Sequence, residues 1–162
     1  MSKKGINGVI IVLLVAVGLF VLSNYLSPNR ALIKKWQSAG VDCLPNGHAN
    51  LAEHIHQILY VEVDGVDQDI PSDVGVLSNC LAELHTHEGE PGKIHLETAT
   101  AGKEFKLEDF FTVWGENYIR PGYANPVVVV NGATTTESGN VTLEDGQVIQ
   151  VLYVGSPQKT QE

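Results

Sequence analysis

Six histidines lie between His48 and His95, and four of them form two His-x-His pairs, His54-Ile-His56 and His85-Thr-His87. His95 follows eight residues after the second pair. In a β-strand the side chains at i and i+2 leave the same face, so each pair would set two imidazoles side by side. Neutral imidazole is a ligand for copper, zinc, nickel and iron. A single strand histidine is ordinarily half-exposed or hydrogen-bonded, and the competing reading of the set is a pH-sensitive or merely polar surface. Two i/i+2 pairs with a further histidine close by argue instead for a metal site. The expected arrangement is one Cu(II) or Zn(II) ion held by His56, His85, His87 and His95, with His54 as a fifth ligand and Glu97 orienting an imidazole from behind. His48 is the least secure member of the group. Copper ranks ahead of zinc because it tops the divalent affinity order for such donors. Met1 is the only methionine, which excludes a thioether copper(I) site.

Two cysteines, Cys43 and Cys80, accompany the histidines. An oxidising compartment would pair them and tie the start of the domain to the segment before His85. The alternative is a thiolate joining the imidazoles as a ligand, as in His/Cys copper sites.

The compartment is set by the first thirty residues. From 5 to 29 there is no charge, and 6–26 is dominated by Val, Ile, Leu, Ala and Phe, about the twenty residues that cross a bilayer as a helix. Lys3 and Lys4 precede it, which predicts a cytoplasmic N-terminus and an exported remainder. The apolar run is longer than a signal peptide's and lacks a good small-x-small site, so it reads as an uncleaved anchor. Residues 1–41 carry five bases and no acid, whereas 42–162 carry all nineteen acids against five bases. Such an acidic exported part makes nucleic acid an unsuitable partner and raises the local concentration of cations. The expected organisation is a tail (1–5), a transmembrane helix (6–26), a juxtamembrane helix or linker (27–41), an exported His-rich domain (42–155) and a polar tail (156–162).

Within that domain the elements that must position the imidazoles are strands. Ile55-x-x-x-Leu59-x-Val61-x-Val63 ends at Asp64-Gly65 and resumes at Gln68, a hairpin pattern. Residues 81–87 and Lys93–Thr98 read as two strands joined by Glu88-Gly-Glu-Pro-Gly92, which would bring His95 across a turn from His85 and His87. Leu107, Phe110, Phe111 and Trp114 recur at helical spacing before Gly115, predicting one helix over 106–114. Pro126 to Val130, Val141 to Leu143 and Gln147 to Val154 supply three further strands. The expected fold is α+β: a mainly antiparallel sheet of about six strands with one helix packed across it.

The runs Cys80-x4-His85-Thr-His87, Ile94-His95-x-Glu97 and Phe105-x-Leu107-x-x-Phe110-Phe111-x-x-Trp114-Gly115, with the upstream His-x-His pair, resemble a family of membrane-anchored bacterial and archaeal proteins. The resemblance spans about residues 43–155, implies one real domain, and brings no activity with it; His48 has no counterpart in the pattern. Cupins and copper-zinc superoxide dismutases share fragments of it, but no histidine follows His95 here. No Gly-x-Ser-x-Gly elbow supports nucleophilic catalysis. The function expected is that of a tethered metal-binding domain: a metallochaperone, a store or an accessory subunit of a membrane metalloenzyme. The alternatives are a metal-free assembly module whose histidines line an interface with another membrane subunit, and, third, a metalloenzyme using Glu83, Glu88 or Glu97 as acid or base.

Overall fold

Strict alternation builds the central strand. In Glu53–Val63 (β2), Gln57, Leu59 and Val61 are buried toward the core, while His54, His56 and Tyr60 leave the other face. Lys93–Thr98 (β7) repeats the pattern, with Ile94, Leu96 and Thr98 on the core side and His95 and Glu97 opposite. The computed structural model describes residues 10, 12–19 and 28–155. Its further strands are Pro45–His48 (β1), Val66–Gln68 (β3), Val76–Leu77 (β4), Cys80–Leu81 (β5), Leu84–His85 (β6), Val127–Val130 (β8), Ala133–Thr135 (β9) and Val148–Tyr153 (β10). Seven of them form one sheet in the order β6-β7-β2-β10-β8-β9, with β3 also paired to β2; β4 and β5 form a separate ribbon. The α+β class and the mainly antiparallel sheet are as expected. The exception to antiparallel pairing lies at its centre, where β10 runs parallel to β2 from Val148 opposite Ile58 to Tyr153 opposite Val63.

Two helices cover the core face. Leu107–Trp114 (α2) buries Leu107, Phe110, Phe111 and Val113, and Gly115 closes it in the left-handed conformation with its N–H donating to the Phe111 carbonyl. Pro28–Ser38 (α1) packs beside it and contributes the buried Trp36. The expectation of a single packed helix is therefore corrected to two, because Trp36 and Val41 join the same apolar cluster as Phe110, Leu84 and Leu96. Among the described residues no helix is long and apolar enough to cross a membrane. Residues 12–19 are helical with exposed Val and Leu side chains. The rest of the span expected at 6–26, and the whole of the tail at 156–162, lie outside the described residues.

Two strand expectations change in detail. The run 81–87 pairs with β7 at Leu84 and His85, with the Glu97 N–H also donating to the Glu83 carbonyl, while the Ala82 N–H turns to the Gly75 carbonyl and the Glu83 N–H to the Asp42 carbonyl. Val141 to Leu143 contributes just an isolated bridge between Thr142 and Lys106, while Ala133–Thr135 pairs with β8 beyond the Asn131-Gly132 turn.

Two glycines fix the approach of these loops to the site strands. A Cβ on Gly75 would stand 2.4 Å from the Leu84 carbonyl oxygen, and one on Gly92 would stand 2.6 Å from that of Leu59; both residues have positive φ. Gly75→Ala and Gly92→Ala should each lower stability by about 1–3 kcal/mol, read as a reduced urea midpoint at unchanged m-value. Gly65→Ala, where a Cβ meets open space, isolates the backbone cost alone.

Candidate metal centre

The face of the sheet opposite the helices carries His54, His56, His85 and His95, and the rings of His48 and His87, from outside the sheet, close against them. Register sets His85 opposite His95 and His95 opposite His56, so adjacent strands β6, β7 and β2 present three imidazoles in one row; Glu97 stands opposite His54 in the next row. Leu84, Leu96 and Ile94, which alternate with these residues, are buried in the core and hold the register, since a one-residue slip would exchange leucine for imidazole on both faces. The β2 end of the row is clamped from β10's side: the His56 N–H donates to the Asp145 carboxylate at 3.0 Å and the Gly146 N–H to the His56 carbonyl at 2.8 Å. The expected adjacency of the two His-x-His segments, through β7, is present.

The donor atoms fall into two sets of three. Those of His48, His85 and His87 lie within 4.8 Å of one another, as do those of His54, His56 and His95; His85, His95 and Glu97 form a third grouping at the same limit. The sets touch through His85 and His95, whose rings stack at 5.4 Å with 16° between planes, and through His87 and His95 at 4.7 Å. These buried histidine groups can hold a metal ion. All five expected ligands are gathered there. His48, the least secure member by sequence, lies in the same cluster, its ring centroid 5.5 Å from that of His85 and 5.3 Å from that of His87. The Cys43–Cys80 disulfide lies just upstream of His48. With the Leu44 N–H donating to Leu81 and the Glu83 N–H to Asp42, it lays the segment leading into β1 along the segment leading into β6. A thiolate ligand is thereby ruled out, as both sulfurs are in the bridge.

Two imidazoles are fully oriented by hydrogen bonds outside the cluster. His85 Nδ1 lies 2.9 Å from the Ala82 carbonyl oxygen, which can only accept, so Nδ1 carries the proton and Nε2 a lone pair. His95 Nε2 lies 2.7 Å from a Glu90 carboxylate oxygen and donates to it, which leaves the lone pair on Nδ1. The two lone-pair nitrogens, His85 Nε2 and His95 Nδ1, are buried with no hydrogen-bond partner among the described residues. Buried polar atoms are normally satisfied, and an outward N–H bond with an inward orphaned lone pair is how metal-ligating histidines are held.

Burial also sets protonation. It pulls the His85 pKa from 6.5 down to about 4, with His87 and His95 adding to the effect while the Ala82 bond and Glu97 oppose it. Burial lowers His95 as well, against the pull of Glu90. Hydrogen bonds from Lys93 first, and then His95, hold the Glu90 carboxyl down at about 2. Both buried imidazoles are thus neutral near pH 7, the form that binds metal. For the metal-free protein the sign follows: the unfolded chain takes up a proton near 6.5 that folded His85 refuses until about pH 4. That stabilisation is complete above 6.5 and lost as pH falls through 4, about 3 kcal/mol in all. Urea unfolding at pH 7.5, 5.5 and 4 should show it, and His85→Leu should flatten the profile.

The floor of the site is closed and its rim is open. His85 is 0%, Glu97 1% and His95 7% exposed, whereas the His48 and His54 side chains are 53% and 46% exposed. Glu97, expected to orient one imidazole, touches two: Oε2 lies 2.7 Å from His48 Nδ1 and Oε1 3.1 Å from His54 Nε2. Of the other candidate acids, Glu83 is committed elsewhere, accepting from the Thr98 hydroxyl, the Asp42 N–H and Lys103, and Glu88 is exposed in the β6–β7 loop. Glu90 was not legible as a site residue from spacing; it reaches His95 because the loop folds back through the Lys93 N–H to the Glu90 carbonyl. No protein-family model, curated protein or solved structure matches this chain.

Proposed function

We propose that this chain is a membrane-anchored, extracytoplasmic metal-binding protein that takes up a late first-row divalent ion, copper ahead of zinc, on the His-bearing face of its sheet. One observation carries the reading: two buried, oriented imidazoles, each with an unpartnered nitrogen, sit within a cluster of four more histidines. An imidazole-rich donor set suits copper and zinc and is unsuited to the oxygen-seeking calcium and magnesium. The uncharged run at 5–29 behind Lys3 and Lys4 supports the anchor and its direction, and the disulfide supports an oxidising compartment. The open rim favours exchange with a partner, as a metallochaperone, store or accessory subunit requires, over a sealed structural site.

Elemental analysis of the full chain, purified in detergent and desalted after exposure to Cu(II) or Zn(II), tests this. Retained metal is expected. No retained metal at micromolar protein would overturn the reading in favour of the assembly module, in which these histidines meet another membrane subunit.

A further inference from the structure

We infer that the site is binuclear, with one ion on His48, His85 and His87, a second on His54, His56 and His95, and the Glu97 carboxylate bridging them. The inference rests on the metal-binding reading and goes beyond the single ion that reading requires. Three observations support it. First, the histidines divide into two complete sets of three, each with donor atoms within 4.8 Å of one another. Three protein ligands with a remaining open position are a sufficient site for zinc or copper. Second, each set contains one of the two buried imidazoles with an orphaned nitrogen, His85 in the first and His95 in the second.

Third, Glu97 stands between the sets. Its side chain is 1% exposed, one oxygen lies 2.7 Å from His48 of the first set and the other 3.1 Å from His54 of the second. No lysine or arginine ion pair offsets its charge among the described residues; its carboxylate oxygens face those two imidazoles, one of them, His48, at hydrogen-bond geometry. An isolated buried carboxylate is costly, and two cations, one per oxygen, would compensate it. Carboxylate-bridged pairs of this kind hold their ions roughly 3.5–4 Å apart, a span compatible with sets that meet through stacked rings. The ligands proposed are divalent copper or zinc.

The test uses the full chain in detergent, loaded with Zn(II) or Cu(II) and desalted. Two equivalents per chain are expected. His54→Ala/His56→Ala should retain one, His48→Ala/His87→Ala should retain one, and the quadruple variant none. A wild-type value of one equivalent would overturn the binuclear assignment and leave the proposed function standing; zero would overturn both. With two Cu(II) bound, electron paramagnetic resonance should show a coupled pair: integrated intensity well below two spins per chain and a half-field transition. Glu97→Gln keeps the shape of the side chain and removes its charge, so it should restore intensity toward two uncoupled spins or lose the second equivalent. Two full, uncoupled spins in the wild type, or a coupled signal unchanged in Glu97→Gln, would remove Glu97 from the bridging role.

Discussion

Replacing His85 and His95 together by leucine lowers the affinity of the chain for Zn(II) or Cu(II) by roughly a hundredfold or more at each set of ligands. The magnitude follows from the share of one imidazole in a site of this kind: four-ligand structural zinc sites bind with about 10–16 kcal/mol, hence about 2.5–4 per ligand, and each 1.4 kcal/mol is tenfold. The two residues come one from each set of three, so neither set survives complete. Leucine is chosen because both positions are buried and an apolar side chain of similar volume removes an orphaned nitrogen without opening a large cavity. The fold should therefore persist, and the metal-induced rise in unfolding temperature should vanish. Ligand at a hundredfold excess over its dissociation constant stabilises by about 2.7 kcal/mol, so the loss is readable by differential scanning fluorimetry with and without Zn(II). Calorimetric titration gives the affinity directly. Equal uptake by the wild type and this variant would show that the imidazoles are not the site. His48→Ala should cost less, because that side chain is half-exposed on the rim.

Why the leading ligands were legible in the sequence, and others were not, comes down to period and register. His54 with His56 and His85 with His87 announce themselves because a strand repeats every two residues, and nothing beyond local geometry is needed to pair them. His95 was legible through its short separation from His87 across a turn rich in glycine and proline. The pairing of β2 with β7 was not, since it is a long-range choice made by the core face, where Leu59, Leu96 and Ile94 pack together, and not by the imidazoles. The central parallel contact of β2 with β10 is of the same kind: both are apolar alternating runs, and no turn between them fixes a direction. Nor did the sequence disclose α1 as part of the core. Trp36 beside Lys34 and Lys35 suits a membrane interface as readily as a protein interior, and only the packing against α2 decides. His48 was the least secure by sequence, and the segment before it carries a covalent link made 32 residues further along, at Cys80.

That link gives the second large effect. Cys43→Ala/Cys80→Ala should lower the stability of the metal-free protein by about 4 kcal/mol, the chain-entropy value for a closed loop of this size. Against a total of about 5–15 kcal/mol for an ordinary domain, this is a large fraction. Alanine is the proper replacement, since Cys80 is 5% exposed in the apolar core and serine would bury an unpaired hydroxyl there. The urea midpoint should fall while the native far-ultraviolet spectrum is retained. The effect on the site should be uneven. Cys43 lies five residues before His48, whereas His54, His56 and His95 are held by the β2–β7 register, which the disulfide does not touch. Loss of the bridge should therefore weaken the ion on His48, His85 and His87 and leave the other near its wild-type affinity. Zn(II) titration of the variant should show one affinity lowered and one retained. Uniform weakening of both would mean that the bridge acts on the site through global stability alone, and unchanged stability would mean that the unfolded chain is already constrained in that region.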